Sequence, residues 1–271
     1  MPATTADKRA AFRKLHEAGC FVLPNPWDVG SAKALQHLGF KAVASTSAGF
    51  AWSIGKADNR VTLDEVCQHL AALCTAVDLP VNADFEGGFA HKPEKVAANV
   101  ARAVMTGVAG LSIEDSTGDA ANPLYERAFA IERIKAARAA IDADNSGVML
   151  AGRCEGFLVG QADLTMVIDR LQAYAEAGAD CLYAPGIKTR EQISAVVKAV
   201  HPKPVNLLIG ATGLSVAEAA DLGVRRISVG GSLVRSAWGG FMRAAREIAE
   251  KGTFSELGNG FPGGELNKMF S

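Results

Sequence analysis

Eight short apolar or β-branched runs recur along this chain, each followed by a segment of helical pattern. The runs are Phe21–Pro24, Ala42–Ser45, Val81–Asp84, Leu111–Glu114, Val148–Arg153, Cys181–Ala184, Val205–Ile209 and Arg226–Val229. Their starts lie about 20–40 residues apart, room for one helix and two loops each time. Helices are predicted over Ser31–His37, Leu63–Val77, Pro93–Met105, Ala128–Ile141, Ala162–Ala177, Glu191–Val200, Val216–Leu222 and Leu233–Lys251. Thr62 stands as an N-cap, Pro93 and Glu94 open a first turn, and Gly39, Gly178, Gly223 and Gly252 mark ends. Short apolar strands alternating with helices make a parallel sheet covered by helices. Eight such units within about 230 residues favour closure into an α/β fold of the (β/α)8 TIM-barrel type. An open doubly wound sheet would carry a glycine-rich phosphate turn, and no G-x-G-x-x-G follows any of these runs. One domain is expected over residues 1–271. The segment Gly258–Gly264 (GNGFPGG) follows no strand and is expected to be a flexible tail.

Composition narrows the function classes. The 271 residues are 49% hydrophobic and 21% charged, a globular balance, with a formal net charge of −1. That balance offers no electrostatic attraction for nucleic acid or an anionic membrane. The start, MPATTADKRAAFRKL, has no apolar h-region, and no run approaches the ~18 apolar residues of a spanning helix. Cys20, Cys67, Cys74, Cys154 and Cys181 are scattered without a C-x-x-C, which fits a reducing, cytoplasmic setting. Cys20 and Cys181 sit in apolar runs and read as buried, inert thiols. The five histidines have no zinc-ligand spacing.

In a barrel the chemistry sits at the C-terminal ends of the strands. The first run ends in Asn25 with Asp28 behind it, the second in Ser45-Thr46-Ser47, and the third in Asp84 with Glu86. The fourth ends in Glu114-Asp115, the fifth in Arg153 with Glu155 close by, and the seventh carries Asn206. Converging carboxylates stay ionised only if a cation neutralises them. Oxygen donors without His or Cys suit Mg2+ or Mn2+. An arginine on the neighbouring strand offers a planar fork for a carboxylate or a developing enolate oxygen. The plainer reading is that a strand-end acid caps the next helix, and Asp115 and Glu155 fit that reading most readily. Arg153 could likewise serve as a structural bridge.

These residues resemble the isocitrate lyase/phosphoenolpyruvate mutase superfamily. The stretches LPNPWDVGSAKALQHLGFKAVASTSAGFAWSIGKADN, VNADFEGGFA, SIEDSTG, GRCEGFL, EAGADCLYAPG and KPVNLL carry the likeness, in order, from Phe21 to Val234. The chain is most similar to the short bacterial members. The resemblance implies a (β/α)8 barrel whose last helix, within residues 233–271, swaps between subunits of a dimer or tetramer. It also implies Mg2+, a small carboxylic acid substrate and an enolpyruvate-type intermediate. By the same likeness Asp84 is the direct metal ligand, Glu86 is the second acid of the motif, and Asp58 and Glu114 hold the metal's waters. Arg153 matches the arginine on the substrate oxyanion, Ser45, Thr46 and Ser47 the loop that grips the pyruvyl carboxylate, and Asn206 a polar position at the seventh strand end.

Departures from the pattern bear on the reaction. The lyases carry K-[KR]-C-G-H in the loop after strand four and the mutases a gating lysine. Here that loop reads DSTGDAANPLYE, with neither Lys nor Cys, although Asn122 lies in the right neighbourhood. Strand six ends in Ala184-Pro185-Gly186, without a carboxylate for a large tricarboxylate. The reading is a Mg2+-dependent lyase that cleaves a C–C bond of a small 2-oxo or 2-hydroxy dicarboxylic acid through an enolate. Glu114 acting through water is the preferred acid/base, with Tyr125 and a metal-bound water as the other candidates. Alternatives are a P–C hydrolase or mutase, a Schiff-base aldolase on Lys188, and a non-catalytic ligand-binding barrel. In the last helix, Leu233, Trp238, Phe241, Met242 and Ile248 form an apolar face fit for core or for a subunit contact.

Overall fold

A computed structural model describes residues 2–210 and 213–271. Helix α1 (Thr5–Leu15) precedes β1 (Phe21–Leu23), α2 (Val29–His37), β2 (Val43–Ala44), α3 (Ser47–Ser53) and α4 (Leu63–Ala76). Then come β3 (Val81–Asp84), α5 (Pro93–Met105), β4 (Gly110–Glu114), α6 (Arg127–Ala143), β5 (Met149–Arg153) and α7 (Leu164–Glu176). The last part holds β6 (Cys181–Tyr183), α8 (Arg190–Val200), β7 (Val205–Leu208), α9 (Val216–Asp221), β8 (Arg226–Ser228), α10 (Ser232–Lys251) and α11 (Gly263–Phe270). The strands pair in parallel in the order β1-β8-β7-β6-β5-β4-β3-β2. The β1–β2 seam is closed by the Ala44 N–H donating to Pro24 O at 3.0 Å and the Asn25 amide donating to Ser45 O at 2.9 Å. The expected (β/α)8 barrel is therefore present.

Local chemistry starts the helices where the sequence places them. Thr62 with Glu65, Thr189 with Gln192, Ser215 with Glu218 and Asp28 with Ser31 form reciprocal capping boxes. In α5 the buried residues Val96, Val100, Ala103 and Val104 recur at helical spacing and face the sheet.

Besides the C-terminal segment, two helices lie outside the expected pattern. The first, α1, is dominated by charged residues and closes the bottom of the barrel. Its Phe12 is fully buried against Leu23, Ala44, Ala109 and Met149. Lys8 donates to Cys74 O (2.8 Å) and Val77 O (2.6 Å), and Arg9 to Val108 O (3.0 Å), so the charged face is used for anchoring. The second, α3, follows Thr46, whose hydroxyl accepts the Gly49 N–H at 3.2 Å. A Cβ at Gly49 would meet Thr46 Cγ2 at 2.5 Å and Val234 Cγ1 at 3.2 Å, so only glycine lets this turn lie flat on the barrel rim.

The C-terminal segment departs from the expected flexible tail. Ser255–Asn259 form a 3-10 turn, and Gly263-Gly264 open α11, which packs on α2. Helix α10 buries Val234, while Trp238, Phe241 and Met242 remain exposed. Cys181 is buried as expected, but Cys20 is only half-buried at the barrel bottom, and all five thiols are free. Among the described residues no helix is long and apolar enough to cross a membrane.

His16, beside the plug, carries a pH signature. Its Nδ1 lies 2.8 Å from Phe12 O and its Nε2 faces the Arg226 guanidinium at 3.5 Å. Burial first, and Arg226 second, push its pKa down to about 3. The unfolded chain therefore binds a proton below about pH 6.5 that the folded one refuses, and stability falls as pH drops from there toward 3. We expect His16→Gln to lose about 2 kcal/mol less than the parent between pH 7 and pH 5. Urea midpoints at the two pH values measure this, and identical pH losses in both proteins would contradict it.

Candidate active site

The ends of β3, β4 and β5 converge on one guanidinium. Arg153 closes β5, in register with Glu114 on β4 and Tyr183 on β6. Its Nη1 lies 3.2 Å from Asp84 Oδ1 and 3.2 Å from Glu114 Oε2. Nε and Nη2 form a fork on the two oxygens of Glu155, the second at 3.2 Å. The guanidinium carbon stands 5.1 Å from the centre of the Tyr183 ring. Bidentate pairing, two further carboxylates and an aromatic face hold it in one orientation.

Glu155 and Asp115 correct the plainer sequence reading, since neither caps a helix. Asp115 is buried, accepts the Glu155 N–H at 2.8 Å, and accepts from Tyr174 Oη at 2.6 Å and Arg170 Nη1 at 3.2 Å. Arg170 and Tyr174 sit one turn apart on α7, whose cap is Asp163. A chain of contacts thus runs from α7 through Asp115 and Glu155 to Arg153. The sequence signal for it is the i,i+4 Arg–Tyr pair, whose buried polar ends require a partner.

The loop after β2 is tied to the same place. Asp84 accepts the Ser47 N–H at 3.0 Å, and the Asp84 N–H donates to Ser45 Oγ at 2.9 Å. Thr46 Oγ1 caps α3 and Ser45 Oγ accepts from Asp84, so both hydroxyl oxygens already hold a partner. Asn206 also departs from expectation. It is the second residue of β7, not its end, and lies lower in the barrel. There it accepts from Arg226 Nε at 2.8 Å and donates to Ser228 Oγ at 3.0 Å.

Negative charge exceeds positive charge around Arg153. Glu86 has a left-handed φ of 46°, and its Oε1 is buried with no hydrogen-bond partner among the described residues. Burial, with Asp84 and Asp58 adding, pushes its pKa up to about 7. Burial and Asp84 likewise raise Asp58, and burial raises Glu114 against the pull of Arg153. An orphaned carboxylate oxygen among all-oxygen donors fits a hard divalent cation. Among the described residues no three of His, Cys, Asp and Glu converge for direct ligation.

Two cavities meet here. The inner one, about 180 Å³, lies between Ser45, Ser47, Asp84 and Tyr183 above and Asn82, Asn206 and Arg226 below. The outer one, about 640 Å³, opens past Glu86 and Glu114 to His91, Tyr125 and Leu158. Both reach Ser47, Asp58 and Arg153. The loop after β4 folds on itself: Ser116 pairs with Leu124, and the Thr117 N–H donates to Pro123 O at 3.0 Å. Asn122 turns its amide to Asp119 at 3.4 Å, and Lys188 is exposed.

The phosphoenolpyruvate phosphomutase family matches residues 12–249. A crystal structure from Burkholderia cenocepacia, provisionally assigned as a lyase/mutase, superposes with a TM-score of 0.95 at 47% identity. The match covers 98% of this chain and 97% of that one. The structure of oxaloacetate acetylhydrolase in complex with the product oxalate gives 0.86 at 26% identity, covering 99% and 94%. A curated relative from Mycobacterium tuberculosis is 33% identical over 242 residues, 89% of each chain. Oxaloacetate decarboxylase of Rhodopseudomonas palustris is 31% identical over 206 residues, 71% of this chain and 68% of that protein. The superfamily comprises carbon–carbon lyases and mutases of small carboxylic acids, generally dependent on a divalent metal. With its eight-stranded barrel and a family match over nearly its whole length, this chain belongs to the phosphoenolpyruvate phosphomutase family of the isocitrate lyase/phosphoenolpyruvate mutase superfamily.

Proposed function

We propose that this protein is a Mg2+-dependent lyase that cleaves a C–C bond of a small 2-oxo or 2-hydroxy dicarboxylic acid through an enolate. The observation that carries the reading is Arg153, fixed at the wall shared by both cavities amid Asp84, Glu114 and Glu155. Asp84 is assigned as the direct ligand of Mg2+ or Mn2+, with Glu86, Asp58 and Glu114 reaching the ion through water. When bound, the ion supplies positive charge that stabilises the enolate oxygen. Arg153 donates to that oxygen from a buried, pre-set position, so little reorganisation accompanies charge development. Ser45 and Ser47, with the N–H groups opening α3, hold the substrate carboxylate, and Thr46 shapes that turn. Asn206 and Arg226 form a polar floor. Glu114 holds or moves a proton on water at the cavity wall.

The inner cavity, about 180 Å³ and lined by Ser45, Ser47, Asp84 and Arg153, has room for a small carboxylic acid. The similarity to oxaloacetate decarboxylase and oxaloacetate acetylhydrolase supports a four-carbon 2-oxo diacid. The family match also favours a second reading, P–C bond cleavage or mutation of a phosphonopyruvate-like substrate. The lysine-free loop between Ser116 and Leu124 weighs against it, and phosphate release would distinguish the two. The exposed apolar face of α10 supports a dimer or tetramer in which residues 233–271 pack on a neighbouring subunit. The free cysteines fit the cytoplasm.

Thermal unfolding with Mg2+, with oxalate and with both tests the reading. Oxalate has the planar shape and charge of the pyruvate enolate. Saturation to about 100 Kd stabilises by roughly 2.7 kcal/mol, or roughly 5–10 °C here. We expect that shift only with both present. Its absence at saturating concentrations overturns the reading.

A further inference from the structure

The lyase reading leaves one proton unassigned. After cleavage the enolate carbon must be protonated, yet the loop that carries the acid in related lyases has neither Lys nor Cys here. Tyr125 and His91 line the outer cavity, whose wall Arg153 shares. The Tyr125 hydroxyl is hydrogen-bonded to His91 Nδ1. The pair comes from two loops, after β4 and after β3, held in place by one buried residue of α6. Arg133, 1% exposed, donates to Ala90 O at 2.6 Å, to His91 O at 2.5 Å and to Gly87 O. Its guanidinium carbon lies 4.2 Å from the centre of the Tyr125 ring. A buried arginine thus fixes the phenol through its ring, and the exposed imidazole of His91 holds its hydroxyl at the cavity wall.

We propose that Tyr125 and His91 form a proton relay that protonates the enolate carbon, an inference that rests on the lyase reading above. The Tyr125 O–H bond breaks as a C–H bond forms, and the enolate electron pair supplies the new bond. The resulting tyrosinate takes the proton on His91 Nδ1 as Nε2 takes one from solvent water, which leaves the ring neutral and hydroxide in solution. Arg133 under the ring stabilises the transient phenolate. Charged groups facing this cavity are Glu86, Glu114, Glu155, Asp58 and Arg153, and Arg133 packs behind it. Glu114 keeps its role with water, so the two acids handle different protons.

The test is deuterium entry into the methyl group of pyruvate in D2O with Mg2+, followed by proton NMR. The wild type exchanges. Tyr125→Phe slows exchange by about 100-fold or more and His91→Asn by roughly tenfold, while both keep the oxalate–Mg2+ thermal shift. Wild-type exchange in Tyr125→Phe overturns the relay. Loss of the oxalate shift along with exchange also overturns it, because Tyr125 would then be structural. A wild type that does not exchange excludes the relay too, and its oxalate shift then reports separately whether the lyase reading stands.

Discussion

Arg153→Met is expected to lower turnover on the order of 10³-fold and, unlike most active-site changes, to destabilise the fold. Arg153 compensates three carboxylates, Asp84 of β3, Glu114 of β4 and Glu155 of the loop after β5. Removing one side of a buried ion pair leaves the other side uncompensated, at a cost of about 3–5 kcal/mol. Methionine restores the volume of the stem but none of the charge. The deficit depends on pH. Burial already holds the Glu114 and Glu155 carboxyls above their ordinary values, against the pull of Arg153. Without Arg153 they rise further, so the folded variant retains protons that the unfolded chain has released. Its stability therefore falls as pH rises above the ordinary glutamate value, and its deficit against the parent is larger at pH 8 than at pH 5. Guanidinium unfolding at both pH values measures this. An equal deficit at the two would mean that packing, not charge, holds the cluster together.

The reach of the sequence differs between the strand-end groups and their supports. Asp84, Glu114 and Arg153 are legible because a barrel directs the last residue of each strand into the mouth, and a short apolar run marks where each strand stops. Asp115 and Glu155 are not, because Asp115's partners Arg170 and Tyr174 arrive from a helix after the next strand, and Glu155 is tied to Asp115 through its N–H. An acid after a strand looks the same whether it caps a helix or meets a distant arginine. Helix α1 escapes for a related reason. Periodicity detects an apolar stripe, and α1 closes the barrel chiefly with Phe12 and anchors its flank through Lys8 and Arg9. Asn206 is legible as a polar residue of the seventh run, but its place below the mouth, paired with Arg226 of the eighth, is not. The cavity they face exists only once the barrel closes.

The opposite stability effect is expected at Asp84. Asp84→Asn should lower turnover on the order of 10³-fold while making the metal-free protein more stable, by about 1 kcal/mol. The amide oxygen still accepts the Ser47 N–H, so the tie between the β2 loop and β3 survives. Arg153 keeps Glu114 and the fork on Glu155. What disappears is one negative charge beside Glu86 and Asp58, both of which Asp84 raises. Glu86 then falls back toward its ordinary value and ionises at lower cost near neutrality. The gain is present where Glu86 is ionised, near and above pH 7, and fades as pH falls and the parent's Glu86 takes up its proton. Mg2+ should separate the proteins in the other direction. It stabilises the parent by neutralising the crowded carboxylates, and the variant, lacking its direct ligand, gains little. Thermal unfolding of both proteins with chelator and with saturating Mg2+ therefore gives curves that cross in order. Equal Mg2+ stabilisation of parent and variant would remove Asp84 from the metal site and move that role to Glu86, whose buried oxygen has no partner among the described residues.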